Sequence, residues 1–316
     1  MSLAVCLLGY GFAVAVFAPD VLLRATHSGC APRMGIRLWV LAIGSVLVAW
    51  IAAVVLAAID LLLARGDLGQ VLAGCVAILH AAVTGAHGTP VQVGLAALAV
   101  LVVAGLVVLA ARLGGALDRT RRHTHRHADA ARLVGRWDHA LGAVVVDAPD
   151  RLAYAVAGRP HTIVLSRATV DALDEPHLQA VLAHERAHLA GRHHLLLAII
   201  RALAATMPRI TLFTAGNREL SRLLEMRADD AAAREHGRRT LAEALLVLST
   251  GSTLPPRALA AAGTAVADRA ERLMFPPAPE QVRATRLRLG LAAIALLIGP
   301  LLALAQSGLC DAVISI

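Results

Sequence analysis

His184-Glu185-Arg186-Ala187-His188 is the stretch that decides the reading of this chain. Two imidazoles four residues apart on a helix share one face, one turn apart, so both can reach a single metal ion. Zinc suits such a pair, because neutral imidazole nitrogens and a carboxylate oxygen are ligands it takes in tetrahedral geometry. Glu185, beside the first histidine, is placed to take a proton from an attacking water. With 14 His and 8 Glu among 316 residues, chance would give this pattern in roughly one or two of a hundred chains of the same composition. The flanks make chance a poorer account still. Asp174 offers an N-cap, and Glu175 and Pro176 suit a first turn. Leu178, Val181, Leu182, Ala187 and Leu189 then form an apolar stripe that meets no helix breaker before Gly191. The chain reads as a zinc peptidase.

Around this motif the sequence is that of a membrane protein. Apolar residues make up 58% and charged residues 16%, and the mean hydropathy is +0.67, above the usual balance of a soluble domain. Four runs carry the excess: 3–18, 38–59, 91–111 and 289–305. The second and third hold 22 and 21 residues without a charge, enough for a hydrocarbon core that takes about 20. The first and last are shorter and borrow flanking residues. The first also lacks a basic lead-in, which argues against a cleaved signal peptide. Arg24, Arg33 and Arg37 follow the first run, Arg112, Arg119, Arg121, Arg122 and Arg126 follow the third, and Arg283, Arg286 and Arg288 lead into the last. The positive-inside rule assigns all three groups to the cytoplasm. An even number of crossings must then separate the first group from the second, so residues 68–83, with Gln70, Gly74 and His80, form an outer-face or re-entrant piece.

The expected layout is thus a mainly α membrane protein with four transmembrane helices and a cytoplasmic α+β, zincin-like metallopeptidase domain carrying a small β-sheet. An N-terminal membrane region spans 1–111, the cytoplasmic domain 112–288, and a last span with a short outer tail 289–316, placing both termini outside the cell membrane. The net charge is +8 and every basic residue is Arg; near the membrane these cations can bind anionic headgroups of the bilayer. Direct nucleic-acid binding is not expected, since aromatics are 3% and no stacking platform accompanies the arginines. A homo-oligomer is allowed but not required. Cys6, Cys30, Cys75 and Cys310 all lie in or near the apolar runs, so zinc is not cysteine-bound, and Cys75 and Cys310 are on the side where a disulfide is chemically allowed.

Within the cytoplasmic portion, 121–127 alternates Arg and His as a solvated juxtamembrane run. Residues 143–146, 152–156 and 161–165 read as strands, broken by Pro149 and by Gly158-Arg159-Pro160. Thr162, Ile163, Val164 and Leu165, just ahead of the motif helix, are proposed to pair with the extended substrate; an interior hairpin strand fits them equally. His193 and His194 open another apolar helix, too short at 195–205 to span a bilayer, and read as polar helix-end residues. A further helix runs between Asn217, a plausible N-cap, and Gly237. On it Glu225 and Asp229 share a face. Glu225 completes a His-His-Glu metal set, and Asp229 accepts the outer N–H of a ligating histidine. Glu219 and Glu235 on the same helix compete for the ligand role. Tyr154, His161, His193 and the domain's arginines are candidates to stabilise an oxyanion.

With His184, Glu185, His188, Glu225 and Asp229 in hand, the chain resembles the BlaR/MecR-type integral-membrane zinc peptidases and, more distantly, the HtpX and CAAX prenyl protease group. Those families pair H-E-x-x-H with a glutamate and an aspartate four residues later, as Glu225-Met226-Arg227-Ala228-Asp229 does here. Residues 159–166 look like their strand before the motif helix. The resemblance implies one zinc ion and regulated proteolysis of a cytoplasmic protein, a transcriptional repressor in the antirepressor families. One departure matters. Those receptors carry a β-lactam-binding domain after the last span, where this sequence has residues 306–316, and with no Lys it contains no S-x-x-K motif. A signal is then expected through the outer loop around 65–90, a partner protein or the membrane. A quality-control peptidase and a non-enzymatic metal-dependent scaffold or sensor are the rival readings.

Overall fold

Two long apolar helices joined by a five-residue turn open the chain. The structure is a computed structural model that describes residues 2–63, 90–158, 160–250 and 256–314. Helix α1 (Ser2–Thr26) ends where Gly29 takes φ +59° and donates its N–H to Thr26 O, and α2 (Pro32–Leu63) returns along it. Segments Cys6–Thr26 and Pro32–Leu56 are each long and apolar enough to cross a membrane. Phe12, Phe17, Val48 and Ile51 on their outer faces are exposed. The expected third and fourth spans fall within helices α3 (Pro90–Val134) and α10 (Pro279–Ile314). Residues 68–83, Cys75 and the side chain of Cys310 lie outside the described residues; Cys6 and Cys30 are free thiols.

Helix α3 runs unbroken through residue 112 and through the Arg/His run, for 45 residues. It delivers the chain to a four-stranded sheet: β1 (Arg136–Asp138), β2 (Ala143–Val146), β3 (Ala153–Val156) and β4 (Thr162–Ser166), in spatial order β1-β2-β4-β3. Only β2 and β4 are parallel, with Val144 opposite Val164. Alternation along β4 sends Ile163 and Leu165 to one face, against Leu178, Val181 and Leu182 of the motif helix. Val164 goes to the other face, against Ala128 and Ala131 of α3. Covered on both faces, β4 is buried throughout. Strand β1 was not foreseen, because three residues carry no readable periodicity.

Ser166 caps α4 (Arg167–Ala172) by accepting from Thr169 N. The motif helix α5 (Glu175–Ala190) starts at Asp174, whose carboxylate accepts from His177 N, and stops at Gly191, as the sequence predicts. Helices α6 (His193–Thr206), α7 (Thr211–His236), α8 (Arg238–Ser249) and α9 (Pro256–Met274) follow. Helix α7 begins six residues before the expected cap at Asn217, because Leu212 and Phe213 are driven into the core. That core joins α1 and α2 to the rest: Leu22, Trp39, Ile43, Leu203, Phe213, Leu220 and Leu223 form one cluster.

Candidate metal centre

Helix α5 is buried along Leu178, Val181 and Leu182, and the same rotation turns His184 inward, with its side chain 7% exposed. Helix α7 packs against it and presents Glu225. The ring nitrogens His184 Nε2 and His188 Nε2 are 3.1 Å apart. Glu225 Oε2 lies 3.6 Å from His184 Nε2, and Oε1 lies 3.4 Å from His188 Nε2. Tetrahedral zinc ligands at about 2.0–2.1 Å from the ion stand roughly 3.3 Å from one another. Each of these separations is close to that value, with one oxygen of Glu225 facing each ring, and two imidazoles with one carboxylate are a donor set zinc accepts. These three residues fit the ion.

Behind the triangle stands a second set of side chains. Asp229 Oδ1 is 3.1 Å from His184 Nδ1, although it lies off the direction of a well-formed hydrogen bond. Its carboxylate is 1% exposed and is gripped by Arg269 of α9, with Nε on Oδ2 at 2.8 Å and Nη2 on Oδ1 at 2.6 Å. Arg269 Nη1 also reaches Glu225 Oε2 at 3.1 Å. On the other side, His188 Nδ1 is 2.9 Å from His193 Nδ1, and the two rings are perpendicular. Burial lowers the His188 and His193 pKa values to about 4, which keeps both rings neutral as ligand chemistry requires. Burial opposes charge on His184 too, but the Asp229 and Glu225 carboxylates outweigh it and raise that ring to about 9. Burial likewise opposes charge on Glu225, yet His184 and Arg269 hold it at about 2. Asp229 is held well below the usual carboxylate range, since Arg269 and His184 overcome its desolvation.

Glu185 points from α5 toward the sheet, where burial raises its carboxyl to about 7 against the pull of His184 and of the nearby Ala155 N–H. Ala155 belongs to β3, the strand at the sheet's edge. Leu152 O accepts from Ser166 N, so alternation directs the Tyr154 and Val156 backbone groups toward β4 and those of Ala153 and Ala155 outward. The expectation that Thr162, Ile163, Val164 and Leu165 bind substrate is therefore corrected: β4 is hydrogen-bonded to β2 on one side and β3 on the other, with no free backbone edge. Among the described residues, the free edge beside Glu185 is that of β3.

The rival ligands are placed elsewhere. Glu219 accepts from Thr26 Oγ1 at 2.7 Å and pairs with Arg222, at the junction of α7 with α1. Glu235 is exposed and lies 3.5 Å from His236. Tyr154 turns to the α3 face, 3.0 Å from His127 Nε2, and His161 lies against His194. Arg269 was hidden among the domain's arginines, because no spacing ties it to a motif 85 residues away.

Among the described residues, His184, His188 and Glu225 are the group that could hold a metal ion. Residues 117–273 match the model of peptidase family M48. Searches of curated proteins and of solved structures found no match. The matched stretch contains every residue of the triangle and of its surround, His193 and Arg269 included, and in this part the chain is similar to the peptidases of family M48.

Proposed function

We propose that this protein is a membrane-anchored zinc endopeptidase whose single ion is held by His184, His188 and Glu225. The convergence of the two Nε2 atoms and the two oxygens of the Glu225 carboxylate, at 3.1, 3.6 and 3.4 Å, carries the proposal. Zinc there supplies Lewis acidity, polarising a scissile carbonyl and activating water. Glu185 accepts the water's proton and returns it to the departing amine; its raised carboxyl pKa suits both halves of that shuttle. Asp229 and Arg269 fix the His184 ring and the Glu225 carboxylate. An extended substrate adds to the free edge of β3, where the Ala153 backbone is available and the Ala155 N–H already faces the cleft.

The substrate is a protein reached from the cytoplasmic side, and by its resemblance to the BlaR/MecR-type peptidases a transcriptional repressor cut in regulated proteolysis. Arginine placement supports that side: Arg24, Arg33, Arg37 and the run after Arg112 flank the apolar segments on one side. Zinc content and peptide cleavage by wild-type protein and by Glu185→Gln test the activity. Zinc retained with cleavage lost is the expected pattern; cleavage by the variant would overturn it. The same variant, used as a trap in cells, tests the substrate: one DNA-binding protein is expected, and many membrane proteins would mean a quality-control peptidase instead.

A further inference from the structure

The turn between α5 and α6 is built at local cost. Arg192 has φ +50°, the left-handed region that a side-chain-bearing residue adopts unfavourably. Gly191 before it must lack a Cβ, because one there would collide with the His193 ring. His193 itself is 2% exposed, and its Nε2 is buried without a partner among the described residues. A strained turn and an orphaned polar atom ask for an explanation, and the ring's one polar contact supplies it: Nδ1 lies 2.9 Å from His188 Nδ1.

We propose that His193 is a positioning residue of the metal centre, its Nδ1 accepting the Nδ1–H of His188 and so aiming His188 Nε2 at the shared ligand point. The inference rests on the zinc reading above. A neutral imidazole that ligates through Nε2 carries its one proton on Nδ1. That proton points at His193, so His193 Nδ1 presents a lone pair and its own proton sits on Nε2, within the tight turn. Each ligand histidine then has a polar group behind its Nδ1: the Asp229 carboxylate at 3.1 Å from His184, and an imidazole at 2.9 Å from His188. His193 is not a fourth ligand, because its near nitrogen faces the back of His188, away from the point where the two Nε2 atoms and Glu225 converge.

The test is Zn²⁺ affinity by chelator competition, with the Co²⁺ d–d spectrum, on full-length detergent-solubilised protein. Three variants separate the roles. His193→Asn places an amide oxygen where Nδ1 stands, His193→Gln places its polar group where Nε2 stands, and His193→Phe keeps a ring without an acceptor. His193→Asn should stay within about threefold of wild type, while Gln and Phe should weaken zinc binding about 10–100-fold and alter the Co²⁺ spectrum. Wild-type affinity and spectrum in His193→Phe, or equal losses in all three, would overturn the inference. If Phe does not fold, the contrast between Asn and Gln decides. Wild-type protein that takes up no Zn²⁺, behaving like a His188→Ala control, would instead sink the zinc reading itself.

Discussion

Glu185 owes its chemistry to the place where its carboxyl is buried. Desolvation raises it to about 7, against the pull of His184 and of the Ala155 N–H. A base that titrates near neutrality suits proton transfer at neutral pH. A cation at the three ligand atoms adds positive charge beside it. The zinc-loaded protein should therefore show an acid limb in kcat/KM below that value, and Glu185→Gln should lower the whole profile about a hundred- to ten-thousand-fold with zinc retained. Peptide hydrolysis as a function of pH checks this, and a limb above neutrality would contradict it. Metal uptake has its own pH dependence. Although burial opposes it, Asp229 and Glu225 raise metal-free His184 from 6.5 to about 9. Its contribution to the stability of the metal-free fold is full below pH 6.5 and lost as pH rises through about 9. Zinc requires the neutral ring, so binding at neutral pH expels that proton and tightens as pH climbs toward about 9. Calorimetry in two buffers of different ionisation enthalpy should read about one proton released; none would mean that His184 binds zinc without a proton to lose.

At the scale of elements, α9 is clamped to α7 by two arginines one turn apart. Arg269 holds Asp229, and Arg272 Nη2 holds Asp230 at 2.8 Å while its Nε reaches Gly29 O. The first pair is buried, so removing one partner strands a charge. Arg269→Met should cost roughly 3–5 kcal/mol, and Asp229→Asn added to it should restore much of that loss. Unfolding of the solubilised variants measures both; an Arg269→Met protein as stable as wild type would deny the clamp. Local rules made α5 legible: Asp174 caps it, an apolar stripe runs along it, and Gly191 ends it. Glu225 and Asp229 were legible as a pair on one face. Arg269 was not, since it reaches the site only through the packing of α9, and nothing near residue 269 announces that. The substrate edge failed for a related reason. Residues 162–165 read correctly as a strand, but strand order is set by long-range pairing, and β4 inserts between β2 and β3.

On the scale of the whole molecule, the part that carries the candidate metal centre and the apolar helices α1 and α2 share one core. Trp39 of α2 is fully buried against Gly216 of α7, where the absence of a side chain lets the indole approach, and Ile43 packs beside it. Thr26, Glu219 and Arg222 join the end of α1 to α7 through buried hydrogen bonds, with Arg222 Nη2 on Thr26 O at 2.8 Å. Helix α7, which carries Glu225 and Asp229, is therefore positioned from one side by α5 and from the other by α1 and α2. Trp39→Ala should cost about 3–5 kcal/mol. Removing α1 and α2 altogether strips cover from Leu212, Phe213, Leu220, Leu223 and Leu224. At about 1.5–3 kcal/mol for each large apolar side chain, that loss is comparable with the whole stability of a domain, about 5–15 kcal/mol. A fragment of residues 64–316, which leaves α3 whole, should accordingly neither melt cooperatively nor bind Zn²⁺ with full-length affinity. Supplying residues 1–63 as a separate chain in the same bilayer should restore both, because the surface that joins α1 and α2 to α7 is packed side chains and needs no continuous backbone. A fragment with full-length zinc affinity would show that α7 is held without α1 and α2.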